Sequence, residues 1–292
     1  MNRCLLIIFL VFNFLNSYSK DNPNIIIILL DDMGYGDIES FGAIDYSTPN
    51  INKLVENGML FTNFYSAQAV CSASRAGLLT GTYPNRIGIH GALFPQSKIG
   101  LNPSEKTIAE ILKEKNYKTA VIGKWHLGYQ KEFLPLNHGF DYYYGIPYSN
   151  DMWPVDFDGN QITNENDWRK KNYPQLPIIE NFNKIGEVRT LEDQAQLTTN
   201  YTEKSIDFIN MNADKSFFLY VPHSMPHVPI AASKKFRGKS KQGLYGDVIM
   251  ELDWSLGEIV KALRKNNILE NTMIIFTSDN GPWLNFGNHA GN

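Results

Sequence analysis

Asn24-Ile25-Ile26-Ile27-Ile28-Leu29-Leu30-Asp31-Asp32 carries the pattern on which the whole architecture turns. Residues 25–30 are apolar without interruption and rich in isoleucine, which suits a strand covered on both faces, as the strands of parallel sheets are. The run stops abruptly at two carboxylates. It is read as the first central strand of a sheet.

Downstream, helices and buried strands alternate. Thr48-Pro49 offers an N-cap followed by proline at the first helical position, with Ile51, Leu54 and Val55 on one face and Gly58 as the stop. Ser104 is placed to cap a helix carrying Ile108, Ile111 and Leu112, and residues 119–122 follow as a short strand. Residues 191–212 read as a helix leading to a strand at 217–221. Residues 244–265 space Val248, Leu252, Leu256, Ile259, Val260 and Leu263 helically and lead to a strand at 273–277. The expected fold class is α/β, with a largely parallel central sheet flanked by helices. Residues 151–188, rich in Asn, Asp, Pro and Trp without a sustained period, are expected to form a long irregular insertion.

The 292 residues, 43% of them hydrophobic, can bury a substantial core. A formal charge of -3, with 27 basic residues scattered along the chain, lacks the electrostatic footprint of a nucleic-acid binder. Residues 1–19 start with a positive charge at Arg3, pass through an apolar run at 4–15 and end in Asn16-Ser17-Tyr18-Ser19, the layout of a secretory signal cut near Ser19. The run is shorter than the roughly 20 residues a spanning helix needs. The mature domain, 20–292, is therefore expected to be exported, with no membrane span and no nucleic-acid partner. Of the two cysteines, Cys4 falls in the signal, which leaves Cys71 with no partner for an intrachain disulfide. A lone thiol in an oxidising compartment has to be buried, paired with another chain, or chemically used.

Ligands of open α/β sheets bind outside the carboxyl ends of the strands, so the residues after each apolar run are informative. The first strand ends in Asp31-Asp32, the second runs into Gly123-Lys124-Trp125-His126, the third is followed by His223 and His227, and the last by Asp279-Asn280. Singly, each has a plain explanation as a turn or a solvated side chain. Together, three carboxylates and an amide converging without neutralisation would be unfavourable, and a hard cation resolves that. Oxygen ligands favour Ca²⁺ or Mg²⁺ over zinc, since the histidines do not sit at zinc spacings.

Between the first two strands lies Cys71-Ser72-Ala73-Ser74-Arg75-Ala76-Gly77-Leu78-Leu79-Thr80-Gly81. This segment resembles the Cys-x-Ala-x-Arg signature of the type I, formylglycine-dependent sulfatases, which continues into a short helix ending at Thr-Gly. Flanking segments are similar to the family in order and spacing: residues 24–36, the stretch from Gly123 to Gly128, Gly145-Ile146-Pro147-Tyr148-Ser149 as in the arylsulfatase A branch, Pro226-His227-Val228-Pro229, and Ser278-Asp279-Asn280-Gly281. Several segments in register are a far more specific signal than one short motif.

The resemblance implies an alkaline phosphatase-like sulfatase fold and a sulfuric ester hydrolase. It also implies that Cys71 is converted to formylglycine by a formylglycine-generating enzyme during maturation. Asp31, Asp32, Asp279 and Asn280, with an oxygen of modified residue 71, would hold one Ca²⁺ or Mg²⁺. The hydrated aldehyde would attack sulfur through one hydroxyl and expel sulfate through the other, which a plain serine does not provide. Arg75 would hold the diol oxygens, His126 would accept the proton as sulfate leaves, and Lys124 and His227 would grip the sulfate, with His227 also a candidate acid for the leaving alcohol. Ser149 matches a sulfate-side position. His90, His138, His223 and His289 are left to structural roles or outside the core assignment.

In that family the chain continues past the position of Asn292 into a second sulfate-contacting lysine and a C-terminal antiparallel subdomain. This sequence is therefore expected to be the N-terminal part of the catalytic domain and to be impaired without the remainder. A phosphatase or phosphodiesterase of the same superfamily is the rival reading, but would place Ser or Thr at 71; an inactive binding module has no use for Cys71 and Arg75 together. The expected substrate is a sulfated carbohydrate, with the aromatic-rich residues 142–153 as a possible sugar lining.

Overall fold

Asn24–Leu30 forms strand β1, with only Ile25 even partly accessible. The computed structural model describes residues 22–289; the signal at 1–19, with Cys4, lies outside the described residues. After β1 come helices α1 (Pro49–Glu56), α2 (Cys71–Thr80) and α3 (Ile108–Lys113), then strands β2 (Lys118–Lys124) and β3 (Tyr142–Ile146). Helix α4 (Trp168–Asn172), strands β4 (Leu176–Glu180) and β5 (Asn183–Val188), and helices α5 (Leu191–Gln194) and α6 (Leu197–Met211) follow. The described chain closes with β6 (Phe217–Pro222), α7 (Leu244–Lys265) and β7 (Thr272–Ser278).

The seven strands form one sheet in the order β5-β4-β3-β2-β6-β1-β7. Strand β1 runs parallel to β6 and β7, and β2 parallel to β3 and β6. Alternate side chains of β1 feed two cores, as the period of two requires. Ile26, Ile28 and Leu30 pack with Tyr201 and Phe208 of α6 and Leu252 and Leu256 of α7. Ile27 and Leu29 pack on the other face with Ala73, Ala76 and Leu79 of α2 and with Trp125 and Phe140. The largely parallel α/β architecture read from the sequence is the one observed.

Three local expectations need correction. Thr48 does not cap α1; its hydroxyl accepts from the Glu39 amide, and the helix start is held from α7, where Asp253 accepts from the amides of Asn50 and Ile51 at 2.9 and 2.8 Å. The helix through Ile108 is capped by Thr107, whose hydroxyl accepts from Glu110 while Glu110 accepts from the Thr107 amide; Ser104 lies a turn too early. The helix expected over 191–212 is broken between α5 and α6, because the capping box of Thr190 and Asp193 starts one short helix and a second begins at Leu197.

The insertion expected at 151–188 is only partly irregular. Its last third is the antiparallel hairpin β4–β5, which extends the sheet past β3. Within residues 142–153 the aromatics do not supply the sugar lining expected of them: Tyr143 and Trp153 are fully buried and Tyr148 nearly so, while Ser149, Asp151 and Met152 face a cavity.

Two histidines outside the strand-tip cluster give a pH expectation. His138 is fully buried with its ring 5.7 Å from Trp125, and His223 is fully buried beside Ser255 and Tyr201. Burial disfavours their charged forms and lowers them to about 4 and about 3 respectively. The unfolded chain then binds protons that the folded one refuses, so their contribution is intact above the ordinary histidine value of 6.5 and is lost as pH falls below it. Acidifying from about pH 6.5 to about 5.5 should remove roughly 2 kcal/mol through this pair. Urea unfolding of His138→Gln and His223→Gln at both pH values should show a slope flattened by about 1 kcal/mol per pH unit in each; slopes matching wild type would contradict the assignment.

Candidate active site

The register of the sheet builds the centre of the site. Leu30 of β1 pairs with Ser278 of β7, so the next residue on each strand, Asp31 and Asp279, leaves the sheet side by side; the Asp279 amide donates to the Leu30 carbonyl at 3.0 Å. Strands β2, β6, β1 and β7 are consecutive in the sheet, so their carboxyl ends deliver Lys124, His227, Asp31-Asp32 and Asp279-Asn280 to one edge, where the strand ends were expected to converge. Oxygens of Asp31, Asp32 and Asp279 lie within 4.8 Å of one another. The Asn280 side-chain amide donates to Asp32 Oδ1 at 2.6 Å.

Helix α2 brings the second half. Cys71 is its first residue, Val70 at the N-cap makes no side-chain cap, and Arg75 lies one turn on. Arg75 is fully buried: Nη1 donates to the Lys124 carbonyl at 2.8 Å, and Nη2 donates to Asp279 Oδ2 at 3.0 Å and stands 3.4 Å from Asp31 Oδ2. Lys124 ion-pairs with Asp31 and donates to Ser149 Oγ at 3.0 Å. One ligand atom each of Asp31, Cys71 and His227 also fall within 4.8 Å of one another. Asp31, Asp32, Cys71, Arg75, Lys124, Ser149, His227, Asp279 and Asn280 are gathered here and His126 lines the cavity above them, while His223 packs apart against Ser255 and Tyr201.

Three carboxylates share this centre with Arg75 and Lys124, and His227 Nε2 stands 3.7 Å from Asp32 Oδ2. Burial alone would raise Asp31, but Lys124 and Arg75 outweigh it and hold Asp31 ionised well below the usual carboxylate range. Asp279 is raised, chiefly by burial and by the Asp31 charge, and Asp32 is raised by burial against the opposing pull of His227. Burial and mutual repulsion thus hold back the ionisation of Asp32 and Asp279, a cost that a cation among them would relieve. The buried Asp31 Oδ1 and Asn280 Oδ1 also have no hydrogen-bond partner among the described residues. Unused oxygens together with three crowded carboxylates fit a hard divalent cation of the Ca²⁺ or Mg²⁺ type.

The other groups are set by their hydrogen bonds. His126 Nε2 lies 2.9 Å from the Leu93 carbonyl, so it carries the hydrogen and leaves Nδ1 as an unprotonated acceptor without a partner. Burial first, then the positive charges of Lys124 and Arg75, keep this ring neutral. His227 goes the other way: burial lowers it, but Asp32 and Asp31 outweigh that and raise it. Burial raises the Cys71 thiol, so an unmodified Cys71 is held as thiol and is a weak nucleophile. Asp32 and His126 also have positive φ, at 64° and 56°, and among the described residues the other three non-glycine positions of this kind are asparagines. Left-handed backbone costs about 1–2 kcal/mol, and here it coincides with the site.

Above these groups opens a cavity of about 480 Å³ lined by Cys71, His126, Ser149, His227 and Asn280, together with Phe94, Asp151 and Trp283. Asp151 falls within 142–153, the stretch expected to line a sugar, although that expectation rested on its aromatics. Phe94 and Trp283 were not anticipated: Phe94 sits in a loop without pattern, whereas Trp283 was readable as an aromatic just past the Asp279-Asn280-Gly281 strand tip.

Comparison with known proteins agrees with this geometry. The profile of the family described as "Sulfatase" matches residues 23–292. Human N-acetylgalactosamine-6-sulfatase is 38% identical over 277 residues, covering 90% of this chain and 50% of that protein, and mouse arylsulfatase G is 38% identical over 275 residues, covering 89% and 52%. The crystal structure of the PsFucS1 sulfatase from Pseudoalteromonas sp. superposes with a TM-score of 0.84 at 33% identity, covering 93% of this chain and 57% of that one. The chain spans about half the length of the curated relatives it matches. A profile match that begins just before β1 and takes in every strand leaves one relationship: the chain belongs to the sulfatase family.

Proposed function

We propose that this chain carries the centre at which a sulfated carbohydrate loses its sulfate by ester hydrolysis. The observation that carries the reading is the gathering of three carboxylates within 4.8 Å of one another beside the first residue of α2. Asp31, Asp32, Asp279 and Asn280 would hold one Ca²⁺ or Mg²⁺. Bound there, the cation supplies Lewis acidity toward a sulfate oxygen.

In this reading residue 71 is formylglycine, installed by a formylglycine-generating enzyme as the protein is exported. Its hydrated side chain forms a bond from one hydroxyl oxygen to sulfur while the sulfur–alkoxy bond breaks and the alcohol departs with a proton. Loss of the second hydroxyl's proton re-forms the aldehyde and releases sulfate. His126 Nδ1, a neutral acceptor whose tautomer the Leu93 carbonyl holds, suits the base of that second step. His227, raised toward the protonated form by Asp32, suits the acid for the leaving alcohol. Lys124 and Ser149, already hydrogen-bonded to each other, would hold sulfate oxygens. The uncapped amides at the start of α2 favour an anion at the same point. Arg75 would hold the oxygens of residue 71.

The substrate class rests on kinship: human N-acetylgalactosamine-6-sulfatase, by its name, acts on a sulfated sugar. The test pairs two measurements on protein made in a host with the modifying system. Mass spectrometry of the peptide containing residue 71 is expected to show the aldehyde, and a panel of sulfated sugars to release inorganic sulfate. An intact thiol together with no sulfate release would refute the reading.

A further inference from the structure

The sulfate chemistry accounts for only part of the cavity's lining. Beyond the groups assigned to sulfate, Asp151 lines the cavity; it is more than nine-tenths buried, and its Oδ1 lacks any hydrogen-bond partner among the described residues. Leaving a buried carboxylate oxygen unmatched is costly, so its position calls for a donor. Arg169 of α4 fixes the residue: Nη1 donates to the Asp151 backbone carbonyl at 2.6 Å and Nη2 stands 3.8 Å from Oδ2. The Arg169 guanidinium in turn lies 4.2 Å from the centre of the Phe157 ring. That ring packs edge-on against Trp283 at 5.7 Å, so the acid and the indole belong to one braced wall.

Trp283 also lines the cavity, stands 5.8 Å from the His227 ring and keeps 41% of its surface exposed. An exposed indole held in a fixed orientation is a flat apolar platform. The cavity, at about 480 Å³, lies within the roughly 300–1,000 Å³ range of small-molecule sites, larger than a sulfate group alone requires. A platform and a hydrogen-bond acceptor beside a sulfate site match a pyranose, whose C–H face is apolar and whose rim is hydroxyl.

We propose that Asp151 and Trp283 form the sugar-ring subsite: Asp151 accepts hydrogen bonds from ring hydroxyls and Trp283 covers the apolar face. The proposal rests on the sulfate-ester reading of the same cavity. It further specifies the substrate, because a second anionic substituent next to the scissile sulfate meets the Asp151 carboxylate whereas a neutral hydroxyl meets an acceptor. The class is a singly sulfated neutral pyranose.

The test compares Asp151→Asn with wild type on galactose and glucose monosulfates and on 4-nitrophenyl sulfate, which has no hydroxyl. The expected result is a fall of at least about tenfold in kcat/KM for the sugar, against a change within about threefold for the aryl ester. Equal losses on both substrates, or no loss on the sugar, overturn the proposal. Saturation-transfer NMR with unsulfated galactose and glucose supplies a readout independent of turnover. Ring-proton signals that persist in both Asp151→Asn and folded Trp283→Ala overturn the subsite; their loss in both supports it. If wild type hydrolyses none of these esters, residue 71 judges the hydrolase reading by mass spectrometry as above, and the binding measurement alone judges the subsite.

Discussion

Arg75→Met is expected to cost the fold roughly 3–5 kcal/mol, the usual consequence of removing one partner from a buried ion network. The side chain is fully enclosed and joins four elements: α2, which carries it, the end of β2 through the Lys124 carbonyl, and the tips of β7 and β1 through Asp279 and Asp31. Methionine fills much of the volume but leaves Asp279 and Asp31 buried together with Lys124 as their main counter-charge. Arg75→Lys should fall between the two, since an ammonium keeps the charge but cannot present a planar fork to a carbonyl and two carboxylates at once. Adding Asp279→Asn to Arg75→Met should recover part of the loss, because the amide removes the charge that Arg75 balanced, and the double-mutant cycle measures that coupling. Urea unfolding in the presence of a chelator reads all of these, and a cost for Arg75→Met below about 1 kcal/mol would show that the network contributes no more than an exposed pair.

The same network explains why so much of the site was readable before any coordinates. In a parallel sheet the strand tips share one edge, so an apolar run followed at once by charged residues discloses both the strand and the contents of the edge. Asp31 and Asp279, separated by nearly the whole chain, become neighbours through the pairing of Leu30 with Ser278. What escaped reading depends on contacts without a local signature. Strands β4 and β5 carry a proline at Pro177, a glycine at Gly186 and a bulge between Ile178 and Ile179, so neither alternation nor a continuous apolar run marks them. The cap of α1 comes from Asp253, some two hundred residues away in sequence. Asp151 and Trp283 meet across one cavity only because α4 and Phe157 brace them, an arrangement that belongs to tertiary packing.

Cys71→Ser should leave the fold nearly unchanged and abolish turnover, by roughly 10³-fold or more, equivalent to about 4 kcal/mol on the barrier. The exchange is nearly isosteric at a partly buried helix start, so thermal unfolding should move little. On the formylglycine reading proposed above, the chemical consequence is disproportionate, because two hydroxyls on one carbon would do different jobs. A serine oxygen placed beside Arg75 and Lys124 has what the first displacement needs: it bonds to sulfur, the sulfur–alkoxy bond breaks, and the alcohol leaves with a proton. The product is a sulfated serine with no neighbouring hydroxyl from which His126 Nδ1 could remove a proton, so the second step has no route and the enzyme stops after one event. Incubation with substrate should therefore add the mass of one SO₃ to the peptide containing residue 71 in Cys71→Ser and none in Cys71→Ala. Sustained sulfate release by the serine variant would show that the second hydroxyl is dispensable, and the formylglycine mechanism would fall with it.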